Sequence, residues 1–148
     1  MIVSENTLLL TSVWPSIRSF FANLAQAINE KRPLRKHNLV TMYDYSFDFK
    51  AVPAFNKFHD VTAVQYFLNN QWSLNTAEDS TDGIRAALTH VQEQLREAIE
   101  RRLNQATTNQ QAVILLSHSA MQVFITTQVK QILRWFMDNG VYVISVRK

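Results

Sequence analysis

The sequence predicts an α/β layered fold built on a mostly parallel sheet. Two observations carry that prediction. Near the C-terminal end, Gln111-Ala-Val-Ile-Leu-Leu-Ser117 is a continuous apolar run of the kind that forms a strand buried on both faces. It is followed by Val129 to Met137 with apolar residues at helical spacing, a helix stop at Asp138-Asn139-Gly140, and the β-branched run Val141-Tyr-Val-Ile-Ser-Val146. Strand, crossover helix and strand make a parallel unit, and such crossovers are almost always right-handed. The second observation is that the rest of the chain also alternates strand and helix patterns, which selects a layered sheet over a bundle or a sandwich.

Taken in order, Met1-Ile2-Val3 reads as the end of a first strand. Trp14, Ile17, Phe20, Phe21, Leu24 and Ile28 keep helical spacing, with Pro15 tolerated in the first turn. Lys31 to His37 is a loop. Asn38 to Asp44 and Phe47 to Val52 read as two antiparallel strands joined by a turn at Asp44-Tyr45-Ser46. Asp60 is placed to cap a short helix carrying Val61, Val64, Phe67 and Leu68. Asn69 to Ser80 is polar and reads as a loop. A long helix over Thr81 to Asn104 buries Ile84, Leu88, Val91, Leu95, Ile99 and Leu103, and turns Glu93, Arg96, Glu97, Glu100 and Arg101 to solvent. With the hairpin early and the parallel unit late, the expected spatial order of strands is 3-2-1-4-5, with one antiparallel edge strand.

Composition narrows the function classes. Of 148 residues, 47% are apolar and 18% charged, which is globular and compatible with a single domain over 1–148. Two glycines weigh against a Gly-rich phosphate loop, and the absence of cysteine excludes disulfides and thiolate metal sites. No stretch is long and apolar enough to span a bilayer, and Met1-Ile2-Val3 lacks the basic start of a signal peptide. Net charge is +3, with Lys31, Arg32, Arg35, Lys36 and His37 gathered together. Without interleaved aromatics, this segment reads as a solvated loop at a helix C-terminus, so no nucleic acid is expected; a nucleic-acid or acidic-lipid patch is the alternative.

Three segments resemble the von Willebrand factor A domain. Trp14 to Ile28 looks like that family's first helix, Asp82-Gly-Ile-Arg-Ala-Ala-Leu88 like the start of its long helix, and Ala112 to Ser119 with Asn139 to Val146 like two of its successive strands. The resemblance implies a three-layer, Rossmann-like sheet and a role in adhesion or protein binding, and it favours an extracellular location. Family members usually continue past the last strand with a helix, a strand and a final helix, so the expected domain is either cut from a longer chain or a natural short form with Val141 to Val146 at the sheet edge.

The resemblance also implies a metal-ion-dependent adhesion site, in which an Asp-x-Ser-x-Ser turn, a loop Thr and a second Asp offer hard oxygens to Mg²⁺. Here Glu5 would replace the Asp and Thr7 the first Ser, while Leu9 has no ligand oxygen. The loop Thr falls near Glu78, Asp79 and Ser80, and the second Asp on His118, a poor ligand for a hard cation. The expectation is a degenerate site without a metal; a weak cation held by Glu5, Thr7 and Glu78 to Ser80 is the alternative.

Ser117-His118-Ser119 ends a buried strand, where α/β-hydrolases place a nucleophile. Ser117 and Met121 stand where that elbow needs glycines, and no histidine follows Ser119, so no catalytic residue is assigned. His37, His59 and His90 have no metal-ligand spacing. The sequence therefore points to protein–protein contact without catalysis, through the loop end of the sheet: Glu5, Thr7, Trp72, Glu78, Asp79, Ser80, His118 and Ser119. A small-molecule enzyme site around Ser117 to Ser119 is the rival. Val141 to Val146, with neither proline nor inward charge, is expected to be an open edge through which the chain self-associates; coverage by a further C-terminal segment is the alternative.

Overall fold

The computed structural model describes residues 1–32, 34, 40–45, 49–51, 58, 60–74, 83–105, 111–117 and 127–147. Five strands form one sheet: β1 (Ile2–Glu5), β2 (Met42–Tyr45), β3 (Phe49–Ala51), β4 (Ala112–Ser117) and β5 (Tyr142–Arg147), in the order β3-β2-β1-β4-β5. This is the order the sequence predicts. The contacts β2–β1, β1–β4 and β4–β5 are parallel, and the three-residue β3 runs antiparallel along β2. The helices are α1 (Trp14–Lys31), α2 (Val61–Asn70), α3 (Gly83–Gln105) and α4 (Thr127–Asp138).

Two apolar cores lie on opposite faces of the sheet, as the two-residue period of a strand requires. Ile2, Met42 and Leu116 point to the face covered by α1 and α2, where Trp14, Ile17, Phe21, Val64 and Leu68 are buried. Val3, Tyr43, Val113 and Leu115 point to the other face, against Leu88, Val91 and Leu95 of α3 and Val129, Ile132 and Phe136 of α4. The Asp60 cap is present: its carboxylate accepts the Thr62 amide at 3.0 Å. α4 ends as its sequence dictates, with Gly140 at φ 71° and the Val141 amide turned back to the Phe136 carbonyl at 2.9 Å.

Four readings change. The first strand runs on to Glu5, because Val3, Ser4 and Glu5 all find partners on β2. Between it and α1, Leu8–Val13 forms a 3-10 helix where a loop was expected. Asp44 and Tyr45 are strand rather than turn residues, paired with Ser4 and Glu5, and Asn69 and Asn70 close α2 instead of opening a loop. β5 itself is half open at the border of the sheet: Tyr142 is 60% and Ile144 50% exposed. They lie on the α1–α2 face but outside its core, against which Val146 alone of the described β5 side chains packs.

Candidate functional site

In a sheet of this order the crevice lies at the carboxyl ends of β1 and β4, where the connections leave in opposite directions. Glu5 ends β1 and Ser117 ends β4, and both are buried. The polar residues here sort into two clusters, one on each face.

On the α3 side, the Glu5 side chain is fully buried and accepts a hydrogen bond from the Thr7 hydroxyl at 2.9 Å. Neighbouring Tyr45 is also buried and donates its phenol to the Leu116 carbonyl at 3.1 Å. Burial pushes the Tyr45 phenol well above its ordinary value, and the nearby Glu5 carboxylate adds to the shift. An acid held protonated in the fold stabilises it fully below the unfolded value near 10, and that stabilisation is lost as pH rises through the folded value. Unfolding by urea between pH 9 and about 11 should therefore show wild-type stability falling more steeply than that of Tyr45→Phe. Equal slopes would mean that the phenol ionises alike in both states.

On the α1 side, Asp44 ends up at the centre of a second cluster. Its Oδ2 accepts from the Asn6 side-chain amide at 2.9 Å and from the Trp72 indole N–H at 3.3 Å. The second Asn6 amide hydrogen goes to the Ser73 carbonyl at 3.1 Å. This ties the end of β1, the end of β2 and the segment after α2 into one unit. Neither Asn6 nor Asp44 has a sequence signature of a site residue, since an Asp between two tyrosines with Ser46 two residues on is an ordinary turn signal.

The sequence-predicted site is thus partly assembled. Glu5 and Thr7 are brought together, but both are corrected as partner contacts: each is 0% exposed, because the buried carboxylate takes the Thr7 hydroxyl as its partner. Trp72 is corrected: it is 3% exposed, packed at a tilt with its ring centre 4.4 Å from that of Trp14 and 6.0 Å from that of Phe21, and so unavailable to a partner. An indole this large is driven into the core once one hydrogen-bond acceptor is supplied for its N–H, and Asp44 supplies it. Glu78, Asp79, Ser80, His118 and Ser119 lie outside the described residues. Of the basic segment, Lys31 and Arg32 are exposed and Leu34 is buried; Arg35, Lys36 and His37 lie outside the described residues. Among the described residues no group of three or more His, Asp or Glu side chains converges. No helix among them is long and apolar enough to cross a membrane.

No family model matches the chain, and no curated protein does. Among solved structures it is similar to proximal thread matrix protein 1 of the mussel byssus, with a TM-score of 0.70 and 15% sequence identity. The match covers 99% of this chain and 36% of that one, so the chain spans well under half of that protein's length. At such identity the likeness speaks to the fold alone: a Rossmann-like, three-layer α/β arrangement of the von Willebrand factor A type.

Proposed function

We propose that this chain is a non-catalytic protein-interaction domain, working outside the cell through the loop end of its sheet and without a resident metal. The observation that carries the reading is the pairing of the strand-end polar groups with one another. Thr7 donates to Glu5, and Asp44 is engaged by Asn6 and Trp72. Such groups position loops; they are not poised for proton transfer, which needs a base in reach of a substrate. The residues also suit a metal-free pair better than a Mg²⁺ cage: the Thr7 hydroxyl is spent on the carboxylate it would have to flank, and Leu9 brings no oxygen. The name of the similar structure, a thread matrix protein, is in keeping with contact between proteins in an extracellular material.

A calorimetric titration with Mg²⁺ and Mn²⁺ should show no micromolar site in the wild type. His118→Asp combined with Leu9→Ser should raise affinity, because it restores oxygens at both deficient positions. A micromolar wild-type site that vanishes in Glu5→Ala overturns the metal-free reading. For the working surface, cross-linking mass spectrometry against extracellular proteins of the source should place partner contacts at residues 75–80 and 118–122, and Glu78→Arg with Asp79→Arg should abolish them. Contacts that move instead to residues 31–37 and dissolve steeply with salt would favour the basic segment.

A further inference from the structure

From the backbone geometry of β5 we infer that this strand is a self-complementary edge on which a second copy of the chain pairs antiparallel, with Ile144 on the two-fold axis. β5 is the six-residue border of the sheet, and among the described residues nothing pairs with its outer side. The other border, β3, has only three residues.

The direction of each amide follows from one bond. Tyr142 donates its N–H inward to the Gln111 carbonyl at 3.0 Å. Successive residues of a strand aim their amide groups at opposite edges, so Ile144 and Val146 also face β4, while Val143, Ser145 and Arg147 present N–H and C=O outward. In an antiparallel pair, outward residues must oppose outward residues. Centring the pair on Ile144 sets Val143 against Ser145 of the second copy and gives the Arg147 amide the Val141 carbonyl, which satisfies every outward N–H.

Side chains choose between this register and the one centred on Ser145. Centred on Ile144, the closely spaced non-hydrogen-bonded positions become Ile144 against Ile144 and Tyr142 against Val146, all on one face. Tyr142 and Ile144 are the two strand residues that α1 and α2 leave exposed, and Met137, 63% exposed, lies at the end of the helix leading into this edge. Moving the centre to Ser145 keeps the hydrogen bonds but sets Val143 against Arg147 and leaves Tyr142 beyond the last described strand residue of the second copy. The antiparallel sense also sends the two Arg147 ends to opposite extremes of the pair, whereas a parallel pairing would set like charges side by side. The edge has no proline, bulge or inward charge to block a partner.

Some six residues a side is far below the roughly 20–30 of a standard interface, so the dimer is weak and fills in the range of about 0.1–1 mM. Sedimentation equilibrium on the 148-residue chain should show a monomer–dimer equilibrium there. Ser145→Pro removes an outward N–H but no bond to β4, so it should weaken association at least tenfold with the far-ultraviolet dichroism unchanged. Ile144→Lys should do the same by setting two charges together on the axis.

The chain has no cysteine, so single-cysteine variants report the register directly. Ile144→Cys should form an interchain disulfide at least tenfold faster than Val143→Cys, which faces Ser145 of the second copy rather than itself. A wild type monomeric throughout that range overturns the inference, and would mean that the edge is closed by the chain itself. Equal cross-linking at positions 143 and 144, or unimpaired association of Ser145→Pro, overturns the register. None of these outcomes depends on the loop-end surface.

Discussion

Trp72→Ala is expected to cost about 3–5 kcal/mol of folding stability, the range for deleting a fully buried large aromatic. The indole is 3% exposed, lies against both Trp14 and Phe21, and holds the Asp44 carboxylate. Removing it opens a cavity under the N-terminal end of α1 and frees the chain after α2. Against a total stability of about 5–15 kcal/mol, the loss should appear as a large drop in the urea midpoint. Tyr66→Ala, on the exposed side of α2, should change stability by no more than about 0.5 kcal/mol and serves as the control. A loss below about 1 kcal/mol for Trp72→Ala would mean that the indole is not a core residue in solution.

The second large effect is expected at Asp44. Asp44→Ala leaves the Asn6 amide and the Trp72 indole without the acceptor they share, and each stranded buried donor costs about 1–3 kcal/mol. The total should fall near 2–4 kcal/mol, with partial recovery in Asp44→Asn, whose carbonyl still accepts. Trp72→Phe removes one of the two donors, so its cost in the Asp44→Ala background should be smaller than in the wild type. A double-mutant cycle should yield a coupling of about 1 kcal/mol, and strict additivity would show that the 3.3 Å contact carries no energy.

Much of the fold was legible because its elements announce themselves by period. The apolar run before Ser117, the helical stripe of α4 and the Asp138 to Gly140 stop lead directly to the parallel pairing of β4 and β5. Placing β1 in the middle of the sheet followed from a hairpin early and a crossover late. The 3-10 helix of Leu8–Val13 was not legible, since three leucines followed by Thr-Ser match neither the 3.6 nor the 2.0 period. Trp72 was misread for a related reason. It stands alone among Asn69, Asn70, Gln71 and Ser73, and a single aromatic in a polar stretch carries no periodicity to show which way it turns. Its acceptor, Asp44, lies 28 residues away and becomes its neighbour only once the sheet is formed. At the site, Glu5 and Thr7 were placed only by the resemblance to an adhesion-site turn, whereas the Asn6–Asp44 contact spans two strands and has no local signature.

The contact between Trp14 and Trp72 has an optical consequence. Two indoles with ring centres 4.4 Å apart and planes inclined at 50° couple their electronic transitions, which gives a paired band of opposite signs in circular dichroism rather than two independent ones. The third tryptophan, Trp135, sits on the opposite face of the sheet with the Arg96 guanidinium 5.7 Å above its ring, and contributes a separate, uncoupled signal. Because Trp72 is also bonded to Asp44, and Asp44 to Asn6, the coupled pair is wired to the loop end of β1 and β2. The molecule thus carries a native chromophore, needing no label, whose split band registers any rearrangement at the end where a partner would dock.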